Sequence, residues 1–334
     1  MQAQTIFSIK ILHISKICST FAAQIKIDAI MRKFFTFFAI AAVVLGMVSC
    51  EGNDPEQTIP GALKGKFSVA AGKQVYFSIG NLQYNAYRDK WRFAEEQWDY
   101  VGDNTNGTVY NGTTKCSNLS ISPDYNGWID LFGFGTGLNP TLSSTHNYDY
   151  TKTNDWGRNA IYNGGNKVDM WRTLTGAEWQ YLLTERNRAF ELMGFGSVNG
   201  IKGLFILPDN WQLPEGLTFV SAKDINLAWN ESAERYNTAE GNHFSHNTYS
   251  INDWLTMEKA GAAFLPAGGL RSGTTLLQFP NQGGYYWAST FYTETSKANF
   301  IGFGPTLMIC SYQYDPSRTF PQNGMAVRLV QDVR

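Results

Sequence analysis

Charge is scarce in this chain, and cysteine is scarcer. Only 16% of its 334 residues are charged, and four are cysteine. Cys18 and Cys50 fall at the front, which leaves Cys116 and Cys310 about two hundred residues apart and excludes a scaffold stapled by several disulfides. These two read as buried, unpaired small hydrophobes; a pairing in an oxidising compartment is the other reading. A basic surface is lacking too. Residues 1–49 hold Lys10, Lys16, Lys26, Arg32 and Lys33 against Asp28, so of 27 basic and 28 acidic side chains 22 and 27 remain beyond them, a net charge of −5. Nothing there would hold a phosphate backbone, so nucleic acid is excluded as a partner. Nucleophile elbows and phosphate-binding glycine loops are absent. His243 and His246 stand three apart with no third ligand at a zinc spacing, and they read as part of a solvent-exposed loop around Asn242 and Asn247. His146 is isolated among turn residues. Beyond residue 49 no apolar run is long enough to span a bilayer.

The front of the chain has the order of a secretory signal: basic Met31-Arg32-Lys33, the apolar residues 34–48, then small residues before Cys50. Met47-Val48-Ser49-Cys50 resembles a bacterial lipobox, with Met47 where leucine is usual. That resemblance makes residues 31–49 a lipoprotein signal peptide and Cys50 the lipidated first residue; an ordinary signal peptide that ends near a cysteine is the alternative. Residues 1–30 carry no domain-like pattern and read as an extension from a start placed too far upstream. Residues 50–66 form a tether, short and acidic from Glu51 to Thr58. Acidic residues just after the cysteine resemble the surface-export signal of Bacteroidetes lipoproteins, which implies an outer-membrane protein exposed at the cell surface.

Residues 67–334 suffice for one large domain. Phe67-Ser68-Val69, residues 74–78, Leu82-Gln83-Tyr84 and Trp91-Arg92-Phe93 have strand composition separated by glycine turns, and together they predict an opening antiparallel meander. Residues 102–165 are rich in Asn, Gly, Thr and Asp and predict long loops anchored by Trp128, Phe132, Phe134 and Trp156. Thr175-Gly176-Ala177-Glu178 is a capping box, with Trp179, Leu182, Leu183 and Arg186 following at helical spacing. A second helix is predicted over residues 250–260, where Ile251, Trp254, Leu255 and Glu258 are spaced for it and Gly261 ends it. Ala263-Phe264-Leu265-Pro266 then reads as a short buried strand, with a turn at Ala267-Gly268-Gly269.

The last fifty residues are framed. Gly283-Gly284-Tyr285-Tyr286-Trp287-Ala288-Ser289-Thr290 opens the frame and Gly324-Met325-Ala326-Val327-Arg328-Leu329-Val330 closes it. With Trp171-Arg172-Thr173-Leu174 before the first helix and residues 263–269 after the second, this set resembles a C-type-lectin-like domain. Its branches include the formylglycine-generating enzymes (sulfatase-modifying factors), the targets of diversity-generating retroelements and the Fibrobacter succinogenes major paralogous domain proteins. Thr173-Leu174 departs from the Leu-Pro of that pattern. The resemblance implies an α+β fold with antiparallel strands, two main helices and long ordered loops. It also makes Tyr286, Trp287, Val327 and Arg328 framework positions, with Trp287 in the core and Arg328 held by a carboxylate or by carbonyls.

The catalytic side of the resemblance is not carried by these residues. A formylglycine-generating enzyme needs a copper-binding pair of reactive thiols, and Cys310 has no partner nearby in sequence. Calcium-dependent lectins gather oxygen ligands from two short motifs. Leu207-Pro208-Asp209-Asn210-Trp211 and Asn252-Asp253-Trp254 only echo them out of order, and read as a turn and a helix start. No metal, cofactor or catalytic residue is therefore expected. Residues 291–323 are where lectin-like proteins place an exposed recognition surface, which implies Tyr292, Glu294, Lys297, Asn299, Tyr312, Gln313, Tyr314, Arg318 and Phe320 as ligand contacts; aromatics covering the core under a long loop are the alternative. The expectation is a non-catalytic lipoprotein that recognises or adheres to an extracellular protein or glycan. The alternatives are a structural or accessory subunit of an envelope or adhesin complex and, disfavoured by the missing thiol pair, an enzyme.

Overall fold

In the computed structural model, which describes residues 59–101, 126–138, 140, 154–238, 241–272, 275–278, 280–293, 297–310 and 321–334, strands dominate and only two short α-helices occur. The first strands are β1 (Phe67–Ala70), β2 (Lys73–Phe77), β3 (Leu82–Asn85), β4 (Lys90–Phe93) and β5 (Arg172–Thr173), followed by α1 (Gly176–Gln180). Next come β6 (Met193–Val198), β7 (Ile201–Ile206), β8 (Ala228–Asn230), β9 (Arg235–Asn237), β10 (Asn247–Tyr249) and α2 (Ile251–Lys259). The chain continues through β11 (Ala263–Pro266), β12 (Leu270–Ser272), β13 (Thr275–Gln278), β14 (Gly284–Tyr292), β15 (Lys297–Phe303), β16 (Leu307–Cys310), β17 (Asn323–Gly324) and β18 (Leu329–Asp332). This composition is compatible with an α+β or a mainly-β class. Thr58–Arg334 form one compact unit, and no helix among the described residues is long and apolar enough to cross a membrane.

The opening strands form where composition predicts them, but not as one meander. β1 and β2 make a hairpin and β3 and β4 make another, in separate sheets. The free edge of β2 is taken instead by β18, with Val330 opposite Phe77, and β5 lies on the far side of β18. The domain thus closes on itself, its first hairpin paired with its last strand.

α1 starts as its capping box dictates. The Thr175 hydroxyl accepts from Glu178 N–H at 3.1 Å while the Glu178 carboxylate accepts from Thr175 N–H at 2.8 Å. After five residues the helix widens into a π turn, Tyr181–Glu185, and Arg186 leaves helical geometry to donate to Asp209 at 3.0 Å. Leu182 and Leu183 are buried as their spacing requires. α2 has the same device in Ser250 and Asp253, and Gly261 beyond it adopts φ +103°, a conformation that only glycine takes without strain. Its apolar face differs from expectation. Trp254 and Met257 are buried, whereas Ile251 and Leu255 are 41% and 45% exposed.

One hairpin was not foreseen. β6 and β7 pair in full register across Asn199-Gly200, both with positive φ, the turn that suits the twist of two antiparallel strands. With β10 and β11 on its flanks this hairpin makes a four-stranded sheet covered on both faces. Leu204, Ile206, Ala263 and Leu265 join the main core with Trp179 and Phe77; Phe205, Leu207 and Phe264 alternate to the other face and pack with α2 through Trp254 and Met257. A third cluster gathers Phe93, Phe132, Phe134, Trp156, Trp171 and Trp287. Three of the four loop anchors are thus buried, while the fourth, Trp128, is half-buried beneath the Arg92 guanidinium at 4.0 Å. Cys310 is buried and unbonded, and Cys116 lies outside the described residues.

Candidate functional site

The framed segment becomes the long hairpin of β14 and β15, extended through β16, β9 and β8 into a five-stranded sheet. At its base every framework position is buried. Trp287 donates its indole N–H to the Phe132 carbonyl at 2.7 Å. The Tyr286 hydroxyl donates to the Pro266 carbonyl at 2.7 Å and accepts from the Asn81 amide at 3.0 Å. No side chain could replace hydrogen at Gly284, because a Cβ there would run into the Phe303 ring.

Arg328, also fully buried, is held by amide oxygens and not by a carboxylate: Gln97 Oε1 accepts at 2.6 Å and Asn81 Oδ1 at 3.4 Å. The Gln97 amide in turn donates to Glu258 at 2.9 Å, so the counter-charge reaches Arg328 through one intervening side chain. Burial pulls the guanidinium down to about 10, with Tyr286 and Glu258 opposing the shift, and at neutral pH it remains charged. Its partners are each engaged further on, Gln97 with Glu258 and Asn81 with Tyr286, so the arrangement is a clamp between β14, α2 and the start of β18; it offers no nucleophile.

The other end of the sheet is built differently. The ladder of β14 and β15 is irregular between Trp287 and Phe291, then resumes with Tyr292 opposite Lys297, both half-buried. β16 runs back from Leu307 towards that end, stopping with Cys310 opposite Ile301. β9 and β8 follow it beside the base of the hairpin: Trp229 pairs with Tyr236, Tyr236 with Met308, and Met308 with Phe303, which faces Gly284. Trp229 thus stands on the outermost strand, level with that base. It is 36% exposed, the only tryptophan among the large exposed hydrophobics of the described residues. Tyr236 meets its ring edge-on at 5.2 Å, and Glu231 accepts its indole N–H at 2.9 Å. An aromatic side chain held from two sides loses little freedom when a ligand docks on it.

Of the contacts implied by the sequence, the structure brings Tyr292 and Lys297 together. Asn299 is corrected: it is 1% exposed, because Gly176 at the start of α1 lies directly over it, and a Cβ on that glycine would stand 2.5 Å from its side-chain oxygen. Glu294, Tyr312, Gln313, Tyr314, Arg318 and Phe320 lie outside the described residues, as does Cys50. Trp229 was missed. Its signal was the run from Ala228 to Asn237, a hairpin pattern with Asn230 and Glu234 at turn positions.

The motifs that echo calcium sites are occupied otherwise. Asp209 accepts from Arg186, from the Ser68 hydroxyl at 2.7 Å and from the Gln74 amide at 2.7 Å, and together they hold it below its usual range although burial acts the other way. Asp253 completes the cap of α2. Among the described residues no group of three or more His, Cys, Asp or Glu side chains could hold a metal. The histidine loop is also corrected. His243 is wholly buried against Phe195, with ring centroids 4.9 Å apart, and Asn247 is buried where it ties β10 to β6. Comparison with family models, with curated proteins and with solved structures finds no match for this chain.

Proposed function

We propose that this chain is a non-catalytic envelope lipoprotein with a C-type-lectin-like domain, and that it captures an extracellular protein or glycan on its five-stranded sheet. The contact residues are Tyr292, Lys297 and Trp229, with Tyr312, Gln313, Tyr314, Arg318 and Phe320 from the segment that follows β16. One observation carries the reading: an exposed tryptophan, fixed from two sides, stands on the outermost strand of the sheet whose strand β16 leads into that segment. Large, rigid aromatics of this kind dominate the energetics of recognition surfaces. Against an enzyme of the formylglycine-generating type, burial pushes the Cys310 thiol up to about 12, the reverse of what a copper-binding thiolate needs.

Residues 58–334 applied to a glycan and protein array test the reading. Binding that weakens in a combined Tyr312→Ala and Tyr314→Ala variant, melts unchanged and persists in excess chelator is the expected result. Release by chelator would instead indicate a bridging calcium ion. In the full chain, Cys50→Ala removes the only acceptor for a lipid thioether and should move the protein from the membrane to the soluble fraction.

A further inference from the structure

We infer that His243 is a proton-operated latch on the connection between β15 and β16. Three observations place it there. The imidazole has no exposed surface, and neither ring nitrogen has a hydrogen-bond partner, although a neutral imidazole carries one N–H donor and one acceptor. Its backbone N–H donates to the Pro305 carbonyl at 2.6 Å, inside the turn that Gly304 and Leu307 close at 2.9 Å. Its ring rests on Phe195 of β6. The short 3-10 turn His243–Ser245 thereby joins the five-stranded sheet to the four-stranded one.

Only the neutral ring fits this place, because a buried imidazolium would have two donors and no acceptor. Among the described residues the surroundings supply no relief. On its own turn the titratable neighbour is half-exposed His246, whose charge would repel a proton. β6 brings no titratable side chain, and the connection Gly304-Pro305-Thr306 brings none. From β7, the Lys202 ammonium lies 6.0 Å from the Phe244 ring centre; from β10, the Tyr249 hydroxyl is engaged with the Thr218 carbonyl. Burial, with His246 adding to it, lowers His243 to about 4.

Once the turn swings out, the imidazole regains its ordinary value of about 6.5. Protons then bind the open form preferentially, and the open population grows about tenfold for each pH unit below that value until the closed form titrates as well. Opening breaks the bond to Pro305 and frees the turn from which β16 leads to the proposed contact segment. Acidification therefore loosens the latch, and its consequence for ligand capture rests on the function proposed above.

Hydrogen exchange on the ligand-free protein tests the latch separately from that function. Corrected for intrinsic rates, peptides covering residues 242–247 and 304–307 should exchange about fortyfold faster at pH 4.5 than at pH 6.5, while β6 and β7 stay protected. His243→Phe keeps a ring on Phe195 and cannot take a proton, so it should abolish this acceleration; His246→Gln should preserve it. If the phenylalanine variant does not fold, the His243 ring signal of the wild type decides by NMR. Titration near 6.5 with protection unchanged, or acceleration that survives in the phenylalanine variant, overturns the latch.

Discussion

The hairpin of β14 and β15 has two ends made to different rules. At the base, Gly284 to Trp287 lie against Phe300 to Phe303, with Tyr286 and Trp287 wholly buried and their polar atoms hydrogen-bonded to carbonyls from distant parts of the chain. At the tip, beyond the irregularity in the ladder, Phe291 and Tyr292 are half-buried, and Phe291 finds a stacking partner in Phe134 at 5.5 Å. The base spends its aromatics on packing, which tolerates little change in volume. The tip, like Trp229 on the outermost strand, leaves part of each ring in solvent, where a change of side chain leaves no cavity. Under the proposed function, stability and recognition are assigned to different residues of one sheet, and that division can be attacked from either side.

The harshest test removes the base. Trp287→Ala should cost about 3–5 kcal/mol, since it empties a large buried site and leaves the Phe132 carbonyl with the Met325 N–H as its remaining donor. A variant that melts like the wild type would show that the base is not the anchor. Next in size is the fastening of α1, whose Gly176 N–H donates to Thr290 near the middle of the hairpin. Burial raises the Glu178 carboxyl, but hydrogen bonds from Arg172 at 2.7 Å and Lys73 at 2.8 Å outweigh it and hold the group at about 2. A carboxyl depressed in the folded state contributes stability that is full above its unfolded value and lost as pH falls through the folded one. Acid titration from about pH 4.5 to 2 should therefore remove on the order of 3 kcal/mol at this group. Glu178→Gln should flatten that part of the stability profile, measured by urea denaturation at each pH. Smallest in stability, and largest in contrast, is Trp229→Ala: less than about 1 kcal/mol in folding, but at least a tenfold loss of capture once an array has supplied a ligand. Equal effects on both would erase the distinction between buried and half-exposed aromatics.

Local chemistry was legible, and long-range pairing was not. The capping box at Thr175 stands where a hydroxyl and an acid three residues apart announce it, and Ser250 with Asp253, which was not read as a box, repeats that spacing, because a cap is satisfied within one turn. The burial of Trp287 followed from the frame around it. The hairpin at Asn199-Gly200 was equally local, and its glycine-rich flanks Met193–Val198 and Ile201–Ile206 obscured a turn signal that was present. By contrast, the place of β18 beside β2, the amide clamp on Arg328 and the burial of His243 are each set by a residue far away in sequence. A histidine among Asn and Ser looks like a loop residue until Phe195 is brought beneath it. Among the described candidate residues, Asn299 was misjudged and Trp229 missed for the same reason. Asn299 reads as an exposed strand residue unless α1 is known to lie on it, and Trp229 reads as an ordinary strand aromatic unless its strand is known to be the last of the sheet.

The position of β18 between β2 and β5 has a consequence in time. Residues 75–77 must wait for residues 330–332, about 250 positions later, before the first sheet can close, and pairings that distant are slow to form. Every shorter intermediate emerging from the ribosome lacks the strand that belongs between them. Such a chain keeps the edge of β2 unpaired until β18 has been made, and an unpaired edge is open to strands of other chains for all of that time.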